Sequence, residues 1–292
     1  MILRCGIIGV GYMGGPIARH LLQKGFRLTV YARRERARRE MKALGAQIAE
    51  SPAELANSSQ IIFLVVTDAK AVRELLFGPK GIVRGTTERT ILVDMTTSDP
   101  RTTREFAKRL EKRGIEYLDA PVSGGALGAR KGELLVMVGG KRETYAKCVP
   151  VFKAFSKRTI YLGKSGVGHL AKVVHNQLSI STYLLTCEAV LLGKKLGLAM
   201  DELIEVFNHG NARNYSTEVR FPKFILPKNY KIGSTFAILY KDMSLVKGLE
   251  KRARMKLPMT DLAYKYIKHI IEQGGKKEDI SKLILRMDSM LR

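Results

Sequence analysis

Apolar residues in the first half of the chain come in short runs separated by amphipathic stretches. The runs are almost continuously apolar, which is typical of strands buried on both faces of a sheet. The stretches between them have the 3.6-residue period of helices. We predict six strands, at 3–9, 27–31, 60–66, 90–94, 116–118 and 134–138, and five intervening helices, at 13–24, 34–44, 69–77, 102–113 and 143–155.

Strands that alternate with helices predict a parallel sheet with helices on both faces. Beyond residue 163 the pattern changes, because glycines at 163, 166 and 168 precede one helical pattern that continues to about residue 196. The remaining segments are also helical, at 200–208, 240–254, 260–272 and 279–290. The predicted fold class is α/β, with a sheet domain at 1–163 followed by an all-helical domain at 164–292 that begins with the long helix.

The composition is that of an ordinary globular protein, since 45% of the 292 residues are hydrophobic and 27% are charged. Collagen-like, mucin-like and broadly disordered classes are excluded. No apolar run approaches the roughly 20 residues that span a bilayer, and the first residues show no cleavage-site pattern, so we expect a cytoplasmic protein without a membrane partner. Cys5, Cys148 and Cys187 are widely spaced, which suits a reducing compartment and predicts no metal site.

The charge is unusual, because 51 basic and 27 acidic residues give a net charge of +24 that is spread along the chain. Such a surface favours anions, including phosphorylated cofactors, carboxylate substrates and, without sequence specificity, nucleic acid. General solubility, or a host with basic proteins, explains the same excess.

A glycine fingerprint follows the first predicted strand and opens a helix. Gly9 permits the tight turn, Gly11 lets the backbone approach a pyrophosphate, and Gly14 allows close packing of the helix on the strand. The free N–H groups of the helix N-terminus attract phosphate. In this context the motif predicts a Rossmann-type dinucleotide site, with Tyr12 and Met13 among the cofactor contacts.

The end of the second strand predicts which cofactor binds. NAD sites place an acidic residue about 20 residues past the fingerprint, but Ala32 stands there and is followed by Arg33 and Arg34. An uncharged residue removes repulsion, and guanidinium groups bind a 2′-phosphate, so we predict NADP. Helical ion pairs, Glu35–Arg39 and Arg36–Glu40, explain the later arginines but not the missing acid.

Two further strand ends face the same crevice, because ligands bind at the carboxyl ends of strands. Val66, Thr67 and Thr96 are candidate contacts to the nicotinamide half of the cofactor. Each hydroxyl is equally explained as an ordinary helix N-cap.

Two later patterns carry possible substrate chemistry. Ser123, Gly124 and Gly125 follow a strand, and adjacent glycines expose consecutive N–H groups that suit a carboxylate. Lys172 and Asn176 are four residues apart in the long helix and therefore share a face. A lysine in an apolar stretch can be desolvated, which favours acid–base chemistry, although the spacing alone favours an ordinary solvated side chain.

The chain resembles the β-hydroxyacid dehydrogenases, the family of 3-hydroxyisobutyrate dehydrogenase and the glyoxylate/succinic semialdehyde reductases. The resemblance covers nearly the whole chain, with motif blocks in the expected order. The blocks are at Gly6–Leu21, Asp94–Pro100, Asp119–Gly140, Gly166–Leu178, Glu188-Ala189 and Tyr240–Leu245.

The resemblance implies that Lys172 is the general acid/base and that Asn176 positions the substrate. It also implies that Ser123, Gly124 and Gly125 hold the substrate carboxylate. The fold implied is a Rossmann-type domain followed by a helical domain used for substrate binding and oligomerisation. The family implies a homodimer or a homotetramer, and the sequence does not choose between them.

The resemblance further implies that Lys241, next to Asp242, reaches the cofactor; taken alone, the two residues suggest an exposed ion pair of little energetic value. The chain departs from the family at His175, where an asparagine is common, while Asn176 is retained. Arg213 is a candidate for reading the distal group of the substrate.

The leading hypothesis is an NADP-dependent oxidoreductase that acts on a small 3-hydroxy acid or its semialdehyde, such as 3-hydroxyisobutyrate, L-serine or 3-hydroxypropionate. Glyoxylate/succinic semialdehyde reductase is the alternative. 6-Phosphogluconate dehydrogenases carry two glutamates where Ala126 and Leu127 stand, and imine reductases usually replace the lysine. A non-catalytic protein that binds nucleotide or nucleic acid is more distant, since Lys172 is present.

Overall fold

The computed structural model describes residues 3–86 and 90–291 of the chain. Its internal contacts divide the chain into two compact units, Met1–Lys172 and Val173–Arg292. The sequence places a domain boundary after residue 163, and the contacts divide the chain nine residues later, inside the long helix.

The first unit is built on a nine-stranded sheet whose strands are mostly buried and apolar. Its strands are β1 (Arg4–Ile8), β2 (Arg27–Tyr31), β3 (Gln47–Ile48), β4 (Ile61–Leu64), β5 (Ile91–Asp94), β6 (Glu116–Asp119), β7 (Val122–Ser123), β8 (Leu134–Gly139) and β9 (Ser156–Gly163). The strand order is β3-β2-β1-β4-β5-β6-β8-β7, and β9 pairs with β8. This arrangement confirms the predicted α/β class.

The expectation of a wholly parallel sheet is wrong at one end. The first six strands are parallel, but β8 runs antiparallel to both β6 and β7. The helix that precedes β8 covers only Gly125–Lys131. Seven residues rise about 10 Å, which is too short to carry the chain back along the sheet, so β8 enters in the opposite direction.

Helices cover both faces of the sheet. They are α1 (Gly14–Gln23), α2 (Glu35–Ala43), α3 (Pro52–Ser58), α4 (Ala69–Phe77), α5 (Pro100–Glu111), α6 (Gly125–Lys131) and α7 (Arg142–Phe152). Strand β4 shows the two cores, since Ile61 and Phe63 belong to one apolar cluster while Ile62 and Leu64 belong to the other. This is why the strand sequences are continuously apolar.

The second unit is helical around one apolar core. A long helix, α8 (Val167–Lys195), leads into it, and the other helices are α9 (Met200–His209), α10 (Phe236–Ala253), α11 (Pro258–Glu272) and α12 (Leu283–Met290). A π-helical segment, Ser216–Ile225, is an addition to the predicted elements. Its described residues contain no strand, only an isolated bridge between Thr235 and Asp279. No described helix is long and apolar enough to cross a membrane.

Candidate active site

The turn from β1 into α1 uses its three glycines in different ways. Gly9 has a φ of +98°, and a Cβ there would overlap the carbonyl oxygen of Val65. A Cβ at Gly14 would overlap the carbonyl oxygen of Gly9, whereas one at Gly11 would meet nothing within 4 Å. Two glycines are therefore required by the fold, while Gly11 faces open space and leaves the backbone approachable by a ligand.

The N-terminus of α1 is open. Met13, its N-cap residue, makes no side-chain capping bond, and the neighbouring Tyr12 is 71% exposed. The positive end of the helix dipole is therefore available to a ligand phosphate.

A cavity of about 770 Å³ adjoins this turn. Its described lining includes Gly11 and Tyr12 from the turn, together with four arginines and one glutamate. These charged residues are Arg19, Arg34, Arg36, Arg130 and Glu40. Of the two arginines predicted to select the cofactor, Arg34 lines the cavity, and Arg33 is exposed outside its lining.

The ion pairs around α2 separate the arginines into two groups. Arg38 pairs with Glu50 and Glu35, and Arg39 lies 3.6 Å from Glu35, as the helical spacing predicts. Glu40 pairs with Arg19 instead of the expected Arg36. Across the part of the chain that is described, Arg34 and Arg36 have no carboxylate partner, so both are available to an anionic ligand.

The predicted threonines follow the carboxyl ends of β4 and β5, and the end of β4 lies next to the glycine turn between β1 and α1. Thr67 donates its hydroxyl to Asp68, which caps α4 by accepting the Ala71 N–H, so Thr67 is not the cap. Val66 lies close to Gly9. Thr96 is 1% exposed, and its Oγ1 has no partner among the described residues, which is unusual for a buried hydroxyl.

Asp94 organises the end of β5. Its Oδ1 accepts the Thr96 N–H at 2.9 Å, and its Oδ2 accepts the Tyr117 hydroxyl at 2.7 Å. Burial, followed by the charge of Asp94, raises the pKa of Tyr117 well above its ordinary value. Tyr117 is therefore a permanent donor that holds this carboxylate.

The serine–glycine segment has the backbone geometry expected of an anion site. Ser123 ends β7, and the next two residues, Gly124 and Gly125, have φ values of +124° and +61°. A Cβ at Gly125 would meet no atom within 4 Å, so its backbone is open to a ligand. Successive N–H groups in such a turn suit a carboxylate.

Lys172 is fixed through the start of α8. Fully buried Asp119, at the end of β6, accepts the Gly166 N–H at 2.8 Å and the His169 N–H at 3.0 Å. A Cβ at Gly168 would lie 2.6 Å from the carbonyl oxygen of Met137, so the helix start packs directly on the sheet edge. Lys172 follows within one turn and is 9% exposed.

In the second unit, Asp242 joins two of the predicted residues. Asn176 donates its amide to Asp242 at 2.7 Å, and the Lys241 ammonium lies 2.9 Å from the other oxygen of that carboxylate. Asp242 is 5% exposed, so the Lys–Asp pair is not a simple surface ion pair. The Asn176 oxygen accepts from His175 at 3.1 Å. Arg213 is exposed and lies 3.6 Å from Glu218, away from these contacts.

Sequence reasoning missed three buried residues that make hydrogen bonds at or next to the predicted site residues. Asp119 and Asp242 lie inside quoted motif blocks, where a buried acid beside the expected ligand-binding residues is the available signal. Thr103, which contacts His169, lies outside the blocks and gives no sequence signal. Each acts on a residue at least 50 positions away, so spacing along the chain does not reveal it.

Comparison with known proteins gives matches over the whole chain. Residues 4–163 match the family model of the NAD binding domain of 6-phosphogluconate dehydrogenase, and residues 166–287 match that of NADP-dependent 3-hydroxyisobutyrate dehydrogenase. The 2-(hydroxymethyl)glutarate dehydrogenase of Eubacterium barkeri is 32% identical, over 99% of this chain and 96% of the relative. The 2-hydroxy-3-oxopropionate reductase of Escherichia coli is 31% identical, over 99% and 98%.

Among solved structures, 3-hydroxyisobutyrate dehydrogenase from Salmonella typhimurium superposes with a TM-score of 0.88 and is 28% identical. The match covers 97% of this chain and 99% of the Salmonella chain.

Proposed function

This chain belongs to the β-hydroxyacid dehydrogenases, which are nicotinamide-dependent oxidoreductases, and we propose that it is an NADP-dependent enzyme for a small 3-hydroxy acid or its semialdehyde. The observation that carries the proposal is the buried Lys172 on α8, close to the helix start that Asp119 holds through two backbone N–H groups. The same unit contains the glycine turn and the arginine-lined cavity. These features supply an acid–base group and an anion-binding cofactor site.

The residues present fit a phosphorylated dinucleotide. Gly11 leaves open space beside the uncapped start of α1, which suits a pyrophosphate. Arg34 lines the adjoining cavity and has no carboxylate partner within residues 3–86 and 90–291. Ala32 stands where an NAD site has its acid. Thr96 offers the nicotinamide half a buried hydroxyl that has no hydrogen-bond partner in the described part of the chain. When bound, the nicotinamide supplies the hydride acceptor or donor.

Lys172 handles the proton in this proposal. In the reducing direction its ammonium donates a proton to the aldehyde oxygen, and in the oxidising direction the neutral amine takes the proton from the alcohol. Its low exposure reduces competition from water. Asn176 lies one helical turn further along the same face and is oriented by Asp242, so its role is to position the substrate.

The substrate class follows from the shape of the anion site and from the relatives. The names of the Eubacterium and Escherichia relatives both describe compounds with a carboxylate on the carbon next to the reacting hydroxymethyl or aldehyde group. The turn of Gly124 and Gly125 next to Ser123, with open space at Gly125, would bind that carboxylate. Succinic semialdehyde and glyoxylate place the carboxylate at other distances and represent the alternative reductase activity.

The test is a substrate panel with both cofactors, read through the absorbance of the reduced nicotinamide. We expect turnover of 3-hydroxyisobutyrate, L-serine or 3-hydroxypropionate with NADP, and a loss of kcat of at least about 100-fold in Lys172→Ala. Lys195→Ala is the matched control, since Lys195 is exposed at the far end of the same helix. Near-normal kcat in Lys172→Ala, or a strong preference for NAD, contradicts the proposal.

We also propose that the protein is a homodimer or homotetramer. Apolar side chains are exposed along α8 at intervals of four and seven residues, a spacing that forms a helix–helix seam. These residues are Leu170, Val174, Leu178, Leu185 and Leu192, and Leu196 directly after the helix continues the spacing. Light scattering at several concentrations distinguishes the two assemblies, and a monomer at micromolar concentration contradicts both.

A further inference from the structure

The side chain of His169 lies in a fully buried contact at the start of α8, three residues before Lys172. Both His169 and Thr103 of α5 are 0% exposed, and the His169 Nδ1 lies 2.6 Å from the Thr103 Oγ1. No step of the proposed reaction uses this pair. The hydrogen bond lies three residues before Lys172 on the same helix, so it can affect the position of that lysine.

The hydrogen atoms in this contact can be assigned from the neighbouring groups. The Thr103 hydroxyl donates its single proton to the carbonyl oxygen of Asp99, at 3.0 Å. With that proton towards Asp99, the hydroxyl accepts from His169 and the ring proton lies on Nδ1; the other tautomer requires the hydroxyl to turn to Nδ1 and give up its bond to Asp99. The other nitrogen, Nε2, is buried and has no partner among the described residues. A buried N–H without an acceptor is rarer than a bare acceptor, which favours the same assignment.

We infer that the Thr103–His169 hydrogen bond is a positioning element that sets the rotation of the first turn of α8 and thereby the direction of Lys172; the inference rests on the function proposed above. Asp119 fixes the position of this turn by accepting two backbone N–H groups. These two bonds involve no side chain of the turn. The His169 imidazole adds a side-chain contact to α5. Residues three apart on a helix are surface neighbours, so a rotation at His169 moves Lys172 directly.

The first experiment determines the tautomer without any need for activity. The chain has five histidines, so nitrogen NMR of histidine-labelled protein is tractable, with His169→Gln used for assignment. We expect His169 to carry its proton on Nδ1 in the wild-type protein. We expect Thr103→Val to remove that preference, because the acceptor is lost. A His169 nitrogen spectrum that is the same in the wild-type protein and in Thr103→Val overturns the inference, because the Thr103 hydroxyl then does not bond to the ring.

The second experiment measures the consequence for the reaction, with NADPH and 3-oxopropionate, the semialdehyde of 3-hydroxypropionate, as the probe. In Thr103→Val we expect kcat to fall about tenfold while the Kd for NADPH changes less than about twofold, since small misplacement of a reacting group is costly. The primary isotope effect with deuterated NADPH should rise, because a misdirected lysine makes the chemical step slower. Thr103→Ser, which keeps the hydroxyl, should restore both values.

Thr102→Val is the control, since it removes a neighbouring hydroxyl that makes no contact with His169. An unchanged kcat in Thr103→Val overturns the inference. So does a lower kcat with an unaltered isotope effect, because loss of folded enzyme reduces the rate without changing the chemical step. If the wild-type protein turns over no member of the panel, the proposed function fails, and the NMR result still decides the hydrogen bond.

Discussion

The starts of α1 and α8 are two glycine-rich helix N-termini in the same unit. They differ in whether a negatively charged side chain of the protein caps them. At α1 the N-cap residue makes no capping bond, and Gly11 faces open space. At α8 the carboxylate of Asp119 accepts two backbone N–H groups, and a Cβ at Gly168 has no room. The first helix end has room for a ligand's anion, whereas the N–H groups of the second are bonded to a carboxylate of the protein.

This difference separates binding from positioning. An open helix end contributes to affinity only when a ligand arrives, so substitutions around it should change binding and leave stability alone. A helix end sealed by a buried carboxylate contributes to folding, and it holds the next turn in one orientation. Lys172 follows the start of α8 that Asp119 caps, which we call the sealed end. A fixed helix start suits a side chain that must point in one direction.

The largest effect is expected at the sealed end. Asp119→Ala removes a fully buried carboxylate and leaves the Gly166 and His169 N–H groups without an acceptor. Because hydrogen bonds to a charged group contribute about 1.5–3 kcal/mol each, we expect the free energy of unfolding to fall by about 4 kcal/mol. Urea denaturation measures it. The exposed acid Glu143 provides a control, as Glu143→Ala should change stability very little. A loss below about 1 kcal/mol for Asp119→Ala would show that water replaces the carboxylate.

A smaller effect, confined to binding, is expected at the open end. Arg34→Ala removes a guanidinium that lines the cavity and has no carboxylate partner in the described chain. We expect the Kd for NADPH to rise about 30-fold, equivalent to about 2 kcal/mol, because a charge-assisted contact to the 2′-phosphate is lost. The Kd for NADH and the melting temperature should stay the same. Arg33→Ala is the matched control outside the cavity lining, and an equal effect on NADPH in that variant would contradict the assignment to Arg34.

The open end was predictable from the sequence, and the sealed end was not. Gly9, Gly11 and Gly14 form a local motif between a strand and a helix, and α4 was predicted with the bounds that the structure has. Asp119 acts on residues 47 and 50 positions away, a distance at which spacing carries no information.

The same reasoning explains the missed elements. Strands β3 and β7 have two residues each, too few to show a period, and the apolar side chains of β9 are partly exposed. The π-helical segment at Ser216–Ile225 contains Pro222, which interrupts an ordinary helical pattern. In the second unit, Asp242 was visible only as half of a charged pair, because its bond to Asn176 joins residues 66 positions apart.

The smallest expected effect on stability concerns the contact between Tyr117 and Asp94 at the carboxyl end of β5, and it depends on pH. Tyr117→Phe removes the hydroxyl that donates to Asp94, and we expect a loss of about 1 kcal/mol at neutral pH, typical of one hydrogen bond. Burial raises the pKa of Tyr117 in the folded protein. The folded state therefore retains this proton above about pH 10, where the unfolded chain loses it, so the wild-type protein loses stability as pH rises. For this one proton the additional slope is at most about 1.4 kcal/mol per pH unit. Tyr117→Phe should lack that slope, so its deficit relative to wild type should shrink in urea titrations from neutral to alkaline pH. A deficit that stays constant would mean that folding does not raise the pKa of Tyr117, and that neither burial nor the Asp94 carboxylate acts on its hydroxyl.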